Sequence, residues 1–222
     1  MKKKLIASAV CFGLFLLLIL LVKTVDVAAV GPEGSSVGLS KLNVSIHELF
    51  GVNLGWYKAT NVLGYLAILI ALGFAALGGL QLIYRRSVLK VDKEILLLGC
   101  LYVVTVLFYV FFEKVIVNYR PILMPDGEGL EASFPSSHTM LSCVILGSGL
   151  LLLKKYAKKN KTVQQVLTVV FAVMLALIVA GRLLSGVHWF TDVLGGILLS
   201  AALLNAYEGL LKLWKQSAKR GR

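Results

Sequence analysis

The chain has 222 residues, 58% of them hydrophobic and 15% charged, with a mean hydropathy of +0.85. Soluble domains are ~45–50% apolar, so this composition excludes an ordinary soluble protein and indicates a polytopic membrane protein. The net charge of +12 would suit nucleic acid, but the distribution of the basic residues gives it another meaning.

Lys2–Lys4 precede an uncharged run from Leu5 to Val22. That run is longer than the ~7–15 residues of a signal-peptide core and close to the ~20 needed to cross a bilayer. It predicts an uncleaved first membrane helix, with cleavage near Ala28-Ala29 as the alternative. Residues 24–60 are mixed. Leu39, Leu42, Ile46, Leu49 and Phe50 recur at helical spacing among Ser40, Lys41, Asn43 and Glu48. This is the pattern of an amphipathic helix in the outer interface, with His47 on its polar face. The second span is expected over Asn61–Tyr84. The third runs from Ile95 to Phe112 and continues into Glu113, Lys114 and Asn118. Tyr119–Ser137, with Pro121, Pro125, Gly127 and Gly129, reads as a loop. The fourth span covers His138–Leu153 and ends in the basic connector KKYAKKNK. The fifth covers Thr162–Gly181. The sixth starts near His188, passes Tyr207 and gives way to the basic tail KQSAKRGR. No internal repeat or linker divides the chain, so residues 1–222 are expected to form one domain.

With the N-terminus inside, 17 of the 23 Lys and Arg residues fall on inner segments and 6 on outer ones. The inner groups are Lys2–Lys4, Arg85–Lys93, Lys154–Lys161 and Lys212–Arg222. This positive-inside bias predicts cytoplasmic N- and C-termini and explains the net charge without nucleic acid. The fold class is therefore an all-α membrane protein with six transmembrane helices and an amphipathic interfacial helix between the first two. Cys11, Cys100 and Cys143 all lie in apolar runs and read as packing residues. No Cys or His spacing suggests a metal site.

This topology collects the polar residues of interest at one membrane face. Glu113, Lys114 and Arg120-Pro121 follow span three. Pro135-Ser136-Ser137-His138 open span four. Arg182, His188 and Asp192 lie at the outer ends of spans five and six. Ionisable groups at membrane depth are costly and by default mark a function. Two arginines and a helix N-terminus suit an oxyanion. His188, with Asp192 four residues on, can act as a nucleophile. His138 can protonate a departing oxygen. Together they suit phosphoryl transfer through a phosphohistidine, with arginines in the place of a metal.

These residues resemble the phosphatidic acid phosphatase type 2 (lipid phosphate phosphatase) superfamily. Its motifs are Lys, six residues, Arg-Pro; then Pro-Ser-Gly-His; then Ser-Arg, five residues, His, three residues, Asp. Arg120-Pro121 matches the end of the first, Pro135-Ser136 and His138 the second, and Arg182, His188 and Asp192 the third. The resemblance spans about residues 113–192. It implies His188 as nucleophile, Asp192 as its partner and His138 as general acid. It implies Arg120, Arg182 and Ser136 as phosphate ligands, with the backbone at 137 and 138 helping; the Ser137 hydroxyl either adds a donor to that set or crowds the phosphate. Ser137 stands in place of the family's Gly, and Gly181 in place of its Ser. Counted strictly, the motif lysine falls on Glu113, and Lys114 is one place late, about 100° around a helix. Lys114 is a phosphate ligand only if a long stem or a local bulge returns it to the site.

The expected function is a metal-independent lipid phosphatase of the cell membrane, with its site on the extracytoplasmic side and no cofactor. The expected substrate is a lipid phosphate or diphosphate, with undecaprenyl diphosphate first and phosphatidylglycerophosphate or phosphatidic acid second. A transporter, an inactive lipid-phosphate-binding relative and a phosphotransferase are the alternatives. Transporters bind near the midplane rather than at one face.

Overall fold

The computed structural model describes residues 1–124, 127 and 129–220, the last four without their side chains. Pro125 of the expected loop and Arg222 of the basic tail lie outside the described residues, as do the side chains of Lys219 and Arg220. Among the described residues there are seven α-helices and no strands. They are α1 (Lys2–Thr24), α2 (Ser40–Phe50), α3 (Leu54–Arg85), α4 (Lys93–Lys114), α5 (Ser137–Tyr156), α6 (Lys161–Leu184) and α7 (Phe190–Arg220). All but α2 are long and apolar enough to span a membrane. A helix is the form in which a single apolar run satisfies its own backbone in lipid.

The helix ends follow local chemistry. Asn53 and Asn160 cap α3 and α6 by accepting from the backbone N–H groups of Trp56 and Val163, as short polar side chains do at N-caps. Six alternating spans bring both termini to one end of the bundle. The C-terminal ends of α1, α4 and α6 and the N-terminal ends of α3, α5 and α7 share the other end. The central helix is α5, with 61% of its span buried against 6% for α3. It packs on α3, α4, α6 and α7, while α1 lies along α7. Phe15, Phe112 and Phe134 form an aromatic cluster among α1, α4 and the segment before α5, with ring centroids 5.7–6.1 Å apart. Gly195 and Gly196 let α7 approach that segment. A Cβ on Gly195 would meet the Phe134 ring at 2.6 Å, and one on Gly196 the Ser136 carbonyl at 3.0 Å.

The structure departs from the sequence reading at three places. Helix α3 starts at Leu54, about two turns before Asn61, because polar Lys58 and Asn61 hide a continuous helix from a hydropathy count. The sixth span starts at Phe190, so His188 lies in the preceding turn and not on the helix. Helix α2 turns its polar side inward: buried Asn43 donates to Gly38 O and Thr191 Oγ1, and His47 Nε2 donates to Gly186 O at 3.1 Å. Its Leu42, Leu49 and Phe50 face outward. Protein groups thus satisfy Asn43 and His47, while Lys41 and Glu48 stay exposed.

The end of the bundle that holds both termini is tied by charge. Asp92 accepts from Arg85, Lys155 and Tyr156, and Glu94 pairs with Lys155 and Lys215. Burial pushes the Asp92 carboxyl up, but the hydrogen bonds from Arg85, Lys155 and Tyr156 outweigh it and hold it well below the usual carboxylate range.

Candidate active site

A narrow backbone pairing aims the first set of side chains. After α4 ends, Arg120 N donates to Glu131 O and Ser133 N donates to Asn118 O, each at 3.1 Å. Tyr119 and Ala132 form an isolated antiparallel bridge between them. Alternate residues of an extended chain share a side, so Asn118 and Arg120 both reach the α6–α7 turn. Asn118 Nδ2 donates to Asp192 Oδ1 at 3.0 Å. Arg120 Nη1 lies 3.3 Å from Val187 O and 3.3 Å from His188 Nε2. Glu131 Oε2 lies 2.8 Å from Arg120 Nε as an ion pair across the bridge.

The α6–α7 turn presents His188, which is 3% exposed. Burial, together with the charges of Arg120 and Arg182, holds its imidazole well below the ordinary histidine range. Asp192, fully buried, accepts from Trp189 N at 2.9 Å and so also caps its own helix. The expected direct bond between Asp192 and His188 is absent. Asp192 Oδ2 and His188 Nδ1 are 3.7 Å apart, because His188 precedes the helix and Ser133 occupies the gap.

Arg182, on the last turn of α6, is completely buried. Its Nη2 donates to Asn61 Oδ1, and its guanidinium lies 5.1 Å over the Tyr57 ring. Its Nε and Nη1 have no partner among the described residues. Unpaired buried donors on a charged group are costly, so their retention indicates a position suited to an anion.

The N-terminus of α5 closes the group. Ser136 is buried, its N–H donates to Asp192 O at 2.9 Å, and its hydroxyl accepts from Thr139 at 3.1 Å. No side chain among the described residues caps this helix end, which leaves the helix N-terminus for an anion. Ser137 lines two pockets, one with His188 and one with His138. The second is a cavity of about 240 Å³ among α3, α4 and α5, lined also by Tyr57, Asn61, Tyr65 and Leu141. Gly64 lets α3 approach His138; a Cβ there would lie 3.1 Å from the ring.

The structure therefore gathers Arg120, Ser136, Ser137, His138, Arg182, His188 and Asp192 at one end of the bundle. Lys114 is not among them. Helix α4 continues without a bulge through Lys114; Glu113 lines the pocket beside His188, and the exposed Lys114 lines neither pocket of the site. Sequence reading missed Ser133, Asn118, Asn61 and Tyr57, which contact the site. Ser133 stands two residues before Pro135, next to the second motif, and that proximity was the available signal. Asn61 and Tyr57 stood at or beyond the apparent start of a span.

The fold and this arrangement define a multi-pass membrane protein with a cluster of arginines and histidines at one end, of which Arg182 and His188 are buried. The chain belongs to the PAP2 superfamily, whose family model matches residues 70–214. Membership supports a phosphatase acting on a lipid phosphate in the membrane. No curated protein matches the chain in sequence. Its fold is similar to the crystal structure of a transmembrane PAP2-type phosphatidylglycerolphosphate phosphatase from Bacillus subtilis. The TM-score is 0.67 at 19% identity, covering 93% of this chain and 96% of that one.

Proposed function

We propose that the protein hydrolyses the terminal phosphate of a membrane lipid phosphate or diphosphate, at the outer membrane face, through a phosphohistidine on His188. The observation that carries this is Arg182: a fully buried guanidinium with two donors unpartnered among the described residues, in a cluster with Arg120 and the uncapped N-terminus of α5. Arg182, Arg120, Ser136, Ser137 and the α5 N-terminus take the phosphate oxygens. His188 Nε2 attacks phosphorus as the bond to the leaving oxygen breaks, and His138 gives that oxygen its proton. Water then attacks the phosphohistidine, returns a proton to His138, and the N–P bond breaks to release phosphate. The arginines stabilise the charge of the five-coordinate phosphorus in both steps. The outer location follows from the basic residues concentrated at the opposite end. The cavity beside His138 suits the leaving lipid portion.

Undecaprenyl diphosphate is the expected substrate. Phosphatidylglycerophosphate is the second reading, favoured by the Glu113 carboxylate in the pocket wall, which disfavours a second phosphate joined directly to the one cleaved, and by the activity named for the B. subtilis protein of similar fold. The test is phosphate release by purified protein in detergent with EDTA, from both lipids and phosphatidic acid, beside His188→Ala. Release that persists in EDTA and vanishes in the variant is expected. Strict metal dependence, or equal release by the variant, would overturn the reading.

A further inference from the structure

The gap between His188 and Asp192 is filled by a hydroxyl. The 3.7 Å between His188 Nδ1 and Asp192 Oδ2 exceeds a hydrogen bond. Ser133 Oγ lies 3.0 Å from the first atom and 2.5 Å from the second. All three side chains are buried, so water does not compete for these bonds. An ionised carboxylate only accepts, so the Ser133 hydrogen is directed to Asp192. The Ser133 oxygen is then left to accept, and the donor facing it is Nδ1–H of His188. The far side of the ring agrees. Arginine only donates, so Nε2, 3.3 Å from Arg120 Nη1, carries the lone pair. One consistent chain results: Nδ1–H to Ser133, Ser133 to Asp192.

Ser133 is fixed in this position from both sides. Its N–H is tied to Asn118 O, and the next residue, Phe134, is packed between Phe15 and Phe112. Asn118 also holds the other oxygen of Asp192. The carboxylate is thus oriented toward the hydroxyl and not toward the ring.

The geometry points to Ser133 as a positioning residue that couples Asp192 to His188 and fixes the imidazole with its lone pair on Nε2. Its catalytic consequence rests on the phosphohistidine reading, while the tautomer itself is independent of it. When Nε2 bonds to phosphorus the ring becomes cationic and Nδ1 keeps its proton. The hydroxyl then passes the stabilising effect of the Asp192 charge to the ring, and no proton leaves the chain of three.

The experiment is nitrogen-15 NMR of histidine-labelled full-length protein in detergent, where only three histidines need assignment. Wild-type His188 is expected in the Nδ1–H form with a strongly hydrogen-bonded proton. Ser133→Ala should lose that proton signal and mix the two tautomers, and Ser133→Thr should retain it. In phosphate release, Ser133→Ala should lower kcat by about 10- to 100-fold, the size seen when the partner of an oriented histidine is removed. KM should change by less than about twofold, because the hydroxyl is engaged by His188 and Asp192. Combined with Asp192→Asn, the Ser133→Ala loss should disappear, since both remove one coupling; a purely structural role would multiply the losses. An Nε2–H tautomer in the wild type would overturn the assignment without any variant. Multiplied losses, or an unchanged kcat and tautomer in Ser133→Ala, would overturn it too. An Nδ1–H wild type that releases no phosphate would sink the hydrolytic reading and leave the Ser133 assignment standing.

Discussion

Replacing Arg182 with methionine separates a ligand from a packing residue. The methionine keeps an unbranched apolar stem in the space over Tyr57 and removes the guanidinium. Two donors, Nε and Nη1, are without partners among the described residues and are assigned to phosphate oxygens. A hydrogen bond to a charged group contributes ~1.5–3 kcal/mol, so losing two costs ~3–6 kcal/mol of transition-state stabilisation. That corresponds to a fall in kcat/KM of about 10²- to 10⁴-fold. The effect on folding runs the other way. Asn61 Oδ1 loses its donor, at a cost of ~1–3 kcal/mol. Arg182 is a fully buried cation with no carboxylate partner among the described residues, so removing it relieves a desolvation penalty of similar or larger size. Thermal unfolding, followed by tryptophan fluorescence in detergent, should therefore show an unchanged or raised Tm. Phosphate release measured on the same preparation should show the loss. Activity within tenfold of wild type would refute the ligand assignment. A collapse in Tm would show that Arg182 serves the fold. Arg182→Lys should remain well below wild type, because an ammonium does not reproduce the planar fork.

Vanadate, which takes up the five-coordinate geometry of the phosphorus in flight, should inhibit competitively, and Arg182→Met should weaken that inhibition; insensitivity of the wild type would count against the covalent route. Glu113→Lys should lower KM for a diphosphate more than for a monoester, since it removes one negative charge from the pocket wall and adds a positive one; equal changes would remove Glu113 from substrate discrimination. Asp92 should give the protein an acid-sensitive fastening far from the site. Its folded-state pKa is depressed, so its stabilisation is present above the ordinary carboxylate range of about 4 and is lost as pH falls below it. Tm measured from pH 7 to pH 3 should fall more steeply for wild type than for Asp92→Asn; parallel curves would contradict this.

The six spans were legible because each is an apolar run bounded by charge, and lipid leaves such a run one backbone solution. The family motifs were legible because they fix residue types at short, constant spacings. Those spacings singled out Arg120, His138, Arg182, His188 and Asp192, which the fold brings to one end of the bundle. What the sequence hid depends on contacts between distant segments. Ser133 faces His188 from 55 residues away, and its place two residues before Pro135 is the one local signal for it. Asn61 on α3 meets Arg182 on α6, 121 residues later. The i,i+4 spacing of His188 and Asp192 suggested a shared helical face, but the helix begins at Phe190 and a hydroxyl takes the intervening space. The inward polar face of α2 was hidden for the same reason. Amphipathicity shows that a helix has two sides, and only the neighbouring α6–α7 turn decides which side is covered.

The central claim is that His188 carries the phosphoryl group. Purified protein would be mixed with a lipid phosphate labelled with phosphorus-32 in its terminal phosphate, quenched during turnover, and digested for mapping. The account predicts an acid-labile, alkali-stable label on the peptide containing His188, absent in His188→Ala. Steady hydrolysis with no label on that peptide, or the same label in His188→Ala, would contradict it.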